Sequence, residues 1–241
     1  MINLGYETID SITNGLKPGD LVIAKSETRD LGYVLACNIM ANVCKYKRVA
    51  YLNVYSSRAR IHRKISEINS EFNSSSLEIY DGNPNSFEEQ IDNIHNVDLI
   101  IIGDVEQYNL NADIENFYIR LKVLAQEKRI PIIAIKNSMT RIFSDVVIDD
   151  SDILPYEVDY SLLLHNTTEL QKYLKADLTA RDNCFKNEKQ GKMIVFHSNN
   201  FLFECSEEQE RIINNTLSMG LDPEDAYLMS QCWKGKEKQI A

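Results

Sequence analysis

The sequence predicts an α/β protein with a doubly wound, mostly parallel sheet, antiparallel strands at its C-terminal edge, and a helical tail. Three observations support this prediction. Short apolar runs alternate with helical patterns through residues 21–135, as expected for a parallel sheet buried between helices. Two later apolar runs flank a short polar turn, which is typical of a hairpin. Residues 206–241 carry helical patterns only.

Each predicted strand in the first half of the chain is followed by a predicted helix, except for the last strand. The apolar runs LVIA, VAYLNV, LEIY, DLIIIGD and PIIAI are short, and the stretches between them follow helical patterns. In chain order the predicted elements are strand 21–24, helix 31–46, strand 49–54, helix 57–69, strand 77–80, helix 87–95, strand 98–104, helix 114–128 and strand 131–135.

The pattern changes after residue 137. A polar segment with four aspartates, 139–156, precedes predicted strands at 160–165, near 170–179, at 192–197 and at 201–204. In the tail, Gly220 ends one helix, and Asp222 with Pro223 begins another. We therefore predict a domain covering residues 1–205 and a helical tail covering 206–241. Trp233 in this tail favours burial or an interface, either as a docking element or as a lid on the domain itself.

Composition and charge exclude several classes of protein. Apolar residues make up 44% of the 241 residues and charged residues 26%, as in ordinary soluble domains, and no apolar run approaches the roughly 20 residues that span a bilayer. The net charge of −10 argues against a protein that grips nucleic acid through its phosphates. The five cysteines are scattered without a C-x-x-C pair, so we expect neither a metal site nor disulfides, and a cytoplasmic location.

The junction after the first predicted strand raises the main functional question. The stretch GLKPGDLVIAKSETRDLGY has a turn, a strand, a polar loop and the start of a helix. At such a junction a phosphate-binding loop carries G-x-x-x-x-G-K-S/T, whose backbone N–H groups and lysine bind phosphate. This chain contains no Gly-Lys-Ser/Thr sequence.

Several segments, in order, resemble one family. GYETIDSITNGLKPGDLVI, VDLIIIGDVEQY and FYIRLKVLAQEKRIPIIAI resemble successive segments of the RecA-like motor domain of DnaB-type replicative DNA helicases. The resemblance runs from about Gly5 to Glu204. It implies a RecA-like fold, and it allows the family's catalytic parts to be checked one position at a time.

The resemblance implies that the catalytic parts are largely lost. Leu31, Gly32 and Tyr33 stand where the family has the glycine, the lysine and the magnesium-binding hydroxyl of its phosphate loop. Tyr55 stands at the position of the catalytic glutamate. In TARDN, Arg181 matches the arginine that reaches a neighbouring subunit's nucleotide, although the lysine and glycine beside it are replaced.

We interpret five residues as relics of a nucleotide site: Lys25, Arg29, Asp104, Gln107 and Arg181. By the resemblance, Asp104 matches a water-mediated magnesium ligand and Gln107 a residue that couples nucleotide to DNA. The alternatives are a solvated carboxylate for Asp104, a capping loop residue for Gln107 and a surface arginine for Arg181. We predict no catalytic residue, no metal ligand and no cofactor.

The resulting expectation is a catalytically degenerate binding or regulatory module connected with DNA replication or mobile-element biology. Its expected partners are a replicative helicase, another replication protein, or further copies bound through RecA-like faces. We expect weak or no nucleic-acid binding, because a basic cluster on the third helix is more simply a solvated face. That cluster comprises Arg58, Arg60, His62, Arg63 and Lys64. The alternative is an active ATP-dependent DNA helicase with a rearranged site, in which Lys25 replaces the missing lysine and ATP and magnesium bind.

A last prediction concerns the loop itself. Residues 26–32 contain no glycine before Gly32, so successive N–H groups are not free to turn inward around a phosphate. Glu27 and Asp30 would place carboxylates beside the anion. We expect Thr28 or Asp30 to cap the following helix instead.

Overall fold

The computed structural model of the protein describes most of the chain. Tyr55, the polar segment 139–156 and Trp233 lie outside the described residues. The described residues are 1–54, 56–82, 87–108, 114–137, 158–170, 173–185, 187–196, 201–222 and 225–231.

Nine strands and six named helices form the described structure. The strands are β1 (Leu21–Ser26), β2 (Val49–Asn53), β3 (Leu77–Asp81), β4 (Leu99–Ile102), β5 (Ile132–Asn137), β6 (Tyr160–Leu170), β7 (Tyr173–Asp182), β8 (Asn187–Phe196) and β9 (Phe201–Cys205). The helices are α1 (Glu7–Thr13), α2 (Arg29–Val43), α3 (Arg58–Ile68), α4 (Phe87–Asp92), α5 (Ile114–Lys128) and α6 (Glu207–Ser218). Residues 225–231 are also helical.

All nine strands belong to one sheet with the order β3-β2-β4-β5-β1-β6-β7-β8-β9. The strands from β3 to β6 pair in parallel, and β6 to β9 pair antiparallel. The predicted fold class is therefore confirmed, including the antiparallel strands at the C-terminal edge. Because β1, β2, β4 and β5 run in the same direction, their carboxyl ends meet at one edge of the sheet.

Two apolar layers bury the faces of the parallel half. On one face, α2 packs with Leu35 and Ile39 and α3 packs with Ile61 and Ile65 against alternate strand residues. On the other face, α4 and α5 supply a second core that includes Leu121. The inner strands β1, β2, β4 and β5 are buried on both faces, which explains why they read as continuous apolar runs in the sequence.

The tail packs against the antiparallel half. Phe196 and Phe203 of the last two strands, Ile213 of α6 and Ala226 form a third small core. Ser206 caps α6 in a reciprocal capping box with Gln209, and Gly220 takes a positive φ of 81° after the helix, as the sequence predicted for a helix stop. The division at residue 205 into two units stays a prediction.

Some local features differ from the sequence predictions. Helix α1 was not predicted. Strand β8 begins five residues before the predicted strand 192–197, because its first part is polar and largely exposed rather than an apolar run. The hairpin of β8 and β9 is confirmed, although its turn lies outside the described residues. No helix within the described ranges is long and apolar enough to cross a membrane.

Candidate functional site

The carboxyl ends of the parallel strands surround a cavity of about 190 Å³. Its walls come from the start of α2, from the ends of β2 and β5, and from the residues just after β4. Tyr33, Tyr51, Val54 and Ile135 supply aromatic and apolar surface. The polar lining includes Arg29, Asn53, Arg60, Asp104 and Asn137. In a doubly wound sheet this edge is where ligands bind.

The connection from β1 to α2 is only two residues long, Glu27 and Thr28. Thr28 is the N-cap of α2, and its hydroxyl accepts a hydrogen bond from the Leu31 N–H at 3.2 Å. The Gly32 N–H donates to the Thr28 carbonyl at 3.1 Å, and the Glu27 N–H donates to the Leu164 carbonyl at 3.3 Å. Of the two expected caps, Thr28 fills the role and Asp30 does not. Several N–H groups of this junction are therefore engaged within the protein.

An ion pair crosses the cavity. Nε of Arg29, in the first turn of α2, lies 3.1 Å from Oδ2 of Asp104, which follows β4. Asp104 is only 5% exposed and adopts a positive φ of 61°, a conformation that is strained for a residue other than glycine. The Arg29 side chain is 39% exposed, so the pair lies at the boundary between the buried edge and solvent.

A second carboxyl group lies beside this pair. Oε2 of Glu106 accepts a hydrogen bond from the Asn137 N–H at 3.2 Å. Burial, followed by the hydrogen bond with the Asp104 carboxyl group, raises the pKa of Glu106 to about 7. Because two carboxylates in contact resist ionising together, this corner of the cavity holds less negative charge than its residues suggest.

Helix α2 and strand β5 approach each other closely at Gly32. A Cβ atom added to Gly32 would overlap Oδ1 of Asn137 and lie 2.9 Å from Cγ2 of Ile135. Oδ1 of Asn137 is buried and has no hydrogen-bond partner among the described residues. A tight contact and an unsatisfied polar atom thus lie side by side at Gly32, which is uncommon in a folded protein.

Two tyrosines form much of the cavity wall. Tyr51 of β2 is 2% exposed, and its hydroxyl oxygen lies only 2.6 Å from the position that a Cβ atom on Gly103 would take. Tyr33 is partly buried, and burial raises its pKa above the usual value. Both phenols are therefore protonated and uncharged at neutral pH.

The five predicted site residues do not form one cluster. Arg29 and Asp104 are in contact. Gln107 lies in the turn after Asp104, where its N–H donates to the Asp104 carbonyl at 3.1 Å. Lys25 points to the face opposite α2, because its β1 neighbours Val22 and Ala24 pack on the α2 side. Arg181 lies on β7 and pairs with Glu188 of β8 at 2.9 Å.

The roles proposed for these residues stay predictions, and Tyr55 lies outside the described residues. Three further residues of the site, Gly32, Glu106 and Asn137, were not expected to act together. A signal for Asn137 was present, since it follows the predicted strand PIIAI at the edge where strand ends converge. No group of three or more His, Cys, Asp or Glu side chains that could hold a metal ion occurs in the described part of the chain.

The basic cluster of α3 is partly neutralised. Arg58 lies 3.1 Å from Asp81, and both Arg63 and Lys64 lie within 4 Å of Glu67. Burial lowers the pKa of Lys64. The guanidinium of Arg60 has no ion-pair partner among the described residues, and this residue lines the cavity.

Comparison with known proteins identifies the fold but not a family. No family model matches the chain, and no curated protein matches its sequence. Among solved structures, a KaiC-like protein of the hyperthermophilic archaeon Pyrococcus horikoshii is similar with a TM-score of 0.64 and 13% identity, over 85% of this chain and 98% of that one. The RadB recombinase is similar with a TM-score of 0.59 and 18% identity, over 86% and 100%.

A third similar structure is a DnaB-like replicative helicase studied with its primase. Its TM-score is 0.62 at 13% identity, and the match covers 85% of this chain but 62% of the helicase. At these identities the likeness concerns the backbone rather than the chemistry of a site. The chain therefore has the RecA-like α/β fold that these structures share.

Proposed function

We propose that this protein is a RecA-like module that does not hydrolyse ATP and works as a binding or regulatory partner of other proteins. The observation that carries the proposal is the ion pair between Arg29 and Asp104. By the resemblance to DnaB-type helicases, Asp104 corresponds to a residue that assists magnesium. Here a guanidinium of the same chain neutralises that carboxylate, so a magnesium ion would have to displace it.

The β1–α2 junction also fits phosphate poorly. A phosphate cradle needs a loop whose successive N–H groups converge on the anion. This junction has two residues, and the N–H groups of Glu27, Leu31 and Gly32 already donate within the protein. The carboxylate of Glu27 is held 3.1 Å from Nδ1 of His165, which places a further acid at the junction.

The position of the missing lysine offers a third argument. Gly32 stands there in the alignment with the resembling helicases, and its Cα packs against Asn137 and Ile135 so closely that no side chain fits. The space that a phosphate-binding lysine would cross is filled by β5. A cavity of about 190 Å³ also falls below the roughly 300–1,000 Å³ of typical ligand pockets. ATP with magnesium does not fit these residues.

Calorimetric titration with ATP and magnesium tests this proposal directly. We expect no binding tighter than about millimolar, a free energy of roughly −4 kcal/mol. The variants Arg29→Ala and Lys25→Ala serve as matched controls, since one cation lines the cavity and the other points to the opposite face. A micromolar dissociation constant that either substitution abolishes would contradict the proposal.

A phosphate-release assay with and without single-stranded DNA tests turnover. We expect no release above background, because the groups that position and neutralise a transferring phosphoryl group are missing together, and each is worth on the order of 3 kcal/mol. Release that Asp104→Ala abolishes would show a working site and refute the proposal.

One observation favours the alternative, an active ATPase with a rearranged site. Arg60 lines the cavity beside Arg29, so a second cation is present at the carboxyl edge besides the one paired with Asp104. A structure with an ATP analogue and magnesium held near Asp104 would establish this alternative. The form of this alternative in which Lys25 replaces the missing lysine is disfavoured, because the Lys25 side chain points away from the cavity.

For partners, we propose a replicative helicase or another replication protein, with nucleic-acid binding weak or absent. The net charge of −10 and the pairing of three basic side chains of α3 with acids support weak binding. Fluorescence anisotropy with labelled single-stranded DNA at several salt concentrations checks this. A tight complex whose affinity falls steeply with salt would instead indicate a nucleic-acid-binding protein.

A further inference from the structure

The tail carries a concentrated group of exposed apolar side chains. Among the described residues, eight large apolar side chains are exposed, and four of these eight lie within residues 219–229. We call these four the tail patch: Met219, Leu221, Leu228 and Met229, which are 42–76% exposed. Single exposed apolar residues are ordinary on a protein surface, but a local group of them marks an interaction site.

The helix over residues 225–231 has an exposed apolar side as well as a buried one. Ala226 belongs to the third core, and the ring centroid of Tyr227 lies 4.0 Å from that of Phe203. These contacts fix the helix on the sheet. Leu228 and Met229 nevertheless project into solvent, where a surface helix usually carries polar residues.

The neighbouring helix α6 shows the usual pattern. It shares the third core through Ile213, and its exposed positions carry only polar or charged side chains. They are Glu207, Arg211, Asn214, Asn215 and Ser218. Because both helices pack on the same core, apolar exposure is a property of the tail patch and not of the tail in general.

Hydrogen bonds hold the patch in a defined conformation. Gly220 takes a positive φ of 81°, and the Leu221 N–H donates to the Thr216 carbonyl at 3.4 Å. The Ala226 N–H donates to the Asp222 carbonyl at 3.0 Å and closes the first turn of the second helix. A surface that is ordered in this way loses little conformational entropy when a partner covers it.

The charge around the tail patch is negative. Asp225 precedes Leu228 and Met229 by three and four residues, so it lies on the same side of the helix. It is exposed and has no ion-pair partner among the described residues. Residues 206–222 and 225–231 contain five acidic side chains and one basic side chain, Arg211, which pairs with Glu208 at 2.6 Å.

This charge determines which kind of partner fits. In a symmetric pair of tail patches, Asp225 of each copy would approach the acids of the other, which opposes self-association through this surface. An anionic membrane is opposed for the same reason. A helix with an apolar side bordered by lysine or arginine satisfies both the apolar and the acidic parts of the surface.

We propose that the tail patch binds a basic amphipathic helix of another protein. The inference rests on the proposed function, because it names the surface and the partner chemistry of a module that works through binding. Two of the four patch residues are methionines, whose flexible side chains adapt to different apolar surfaces. The partner helix carries its apolar residues at positions i, i+3, i+4 and i+7, with basic residues beside them.

Fluorescence anisotropy with the full chain and a labelled synthetic peptide is the first test. The peptide consists of leucine and lysine, arranged so that the leucines form one side of a helix. We expect saturable binding. A peptide of the same composition in shuffled order, and a leucine–glutamate peptide of the original pattern, should each bind about tenfold more weakly or worse.

Substitutions in the patch test its location. Leu228→Ser and Met229→Ser should each weaken binding of the leucine–lysine peptide by about tenfold, as expected for central residues of an interface. The control is Val123→Ser, which removes an exposed apolar side chain from α5 and should bind like the wild type. All three variants keep the net charge, so general attraction between an acidic protein and a basic peptide is the same in each.

A second pair of variants tests the charge. Asp225→Asn should weaken binding by about threefold and reduce its dependence on salt, because one exposed charge pair is lost. Asp177→Asn removes an exposed acid from β7 and is the matched control. Urea unfolding of every variant verifies that it is folded.

The outcomes separate this inference from the proposed function. Equal binding by the wild type and Leu228→Ser, or equal binding of the ordered and shuffled peptides, overturns the inference. Self-association of the wild type, or its sedimentation with phosphatidylserine vesicles, that Leu228→Ser abolishes would assign the patch to another occupant and also overturn it. Micromolar ATP binding in the calorimetric titration overturns the proposed function, whatever the peptide shows.

Discussion

The two edges of the parallel half of the sheet differ in how completely their polar groups are satisfied. At the amino edge, Oδ2 of Asp159 accepts hydrogen bonds from the Leu21 N–H and from Lys122, both at 2.6 Å, and Lys122 also donates to the Gly19 carbonyl at 2.8 Å. At the carboxyl edge, Oδ1 of Asn137 is buried without a partner, and Asp104 holds a strained backbone conformation.

This difference separates the polar groups that hold the sheet together from those that line the candidate site. The amino edge joins β1, α5 and β6, and its hydrogen bonds close the sheet at one end. Unsatisfied atoms and positive φ values at residues other than glycine are costly, and they persist where the surrounding structure enforces them. The unsatisfied Asn137 oxygen and the positive φ of Asp104 lie together at the carboxyl edge, which fits our proposal that the protein's own side chains occupy this edge in place of a nucleotide.

The largest expected effect is the loss of the amino-edge network. Asp159→Ala removes the acceptor for both the Leu21 N–H and the Lys122 ammonium. The side chains of Lys122 and Asp159 are only 14% and 21% exposed. We expect the free energy of unfolding in urea to fall by roughly 2–4 kcal/mol, because two donors lose a charged partner. The control is Asp177→Ala at an exposed position on β7, which should change it by less than about 0.5 kcal/mol.

The close approach of α2 to β5 gives the next prediction. Gly32→Ala adds a Cβ that overlaps Asn137 and Ile135, so we expect a loss of about 1–3 kcal/mol from overpacking even though alanine favours a helix. In an Asn137→Ala background the same change should cost at least about 0.5 kcal/mol less, since one of the two overlaps is removed. Equal costs in both backgrounds would show that Asn137 does not enforce the contact.

Backbone strain at Asp104 predicts a smaller effect. A left-handed conformation costs an alanine about 1–2 kcal/mol but costs glycine almost nothing. Asp104→Gly removes the ion pair with the part-exposed Arg29, which is worth up to about 1 kcal/mol, but it also relieves the backbone strain. We therefore expect the free energy of unfolding of this variant to stay within about 1 kcal/mol of the wild type. Asp104→Ala should be less stable than Asp104→Gly. The reverse order in thermal unfolding would contradict the strain.

The sequence predicted the strands and helices of the parallel half because its inner strands, β1, β2, β4 and β5, are buried on both faces and are separated by helices. Helix α1 was missed since it is one short segment without a side-chain N-cap, stabilised by packing of Ile9 into the core. Residues 187–191 of β8 were missed because their side chains are exposed or half-buried, so no apolar run marks them.

The candidate site was predictable only in part. Arg29 and Asp104 were each recognised from their motifs, but their contact depends on the short β1–α2 connection, which brings the first turn of α2 over the end of β4. The roles of Gly32 and Asn137 depend on the distance between a helix and a strand that lie more than 100 residues apart in sequence. No local sequence pattern determines the distance between α2 and β5.

The smallest expected effect returns to the amino edge and gives its pH dependence. Burial, and after it the nearby Asp159 carboxylate, raise the pKa of Asp20, although the Lys17 N–H donates to it at 2.7 Å. A carboxyl group whose pKa is higher in the folded protein binds more protons there than in the unfolded chain. Its contribution to stability therefore falls as the pH rises from its usual pKa of about 4 through the raised one.

Asp20→Asn should remove this dependence while keeping an acceptor for the Lys17 N–H. At pH 7 we expect the variant to be slightly more stable than the wild type, by less than about 1 kcal/mol because the group is half-exposed. Urea unfolding of both proteins from pH 4 to pH 8 measures the difference, which cancels the titration of all other groups. A stability difference that is constant over this range would show that the pKa of Asp20 is not raised in the folded protein. The amino edge would then contain no unfavourable buried charge to compare with the backbone strain of Asp104 at the carboxyl edge.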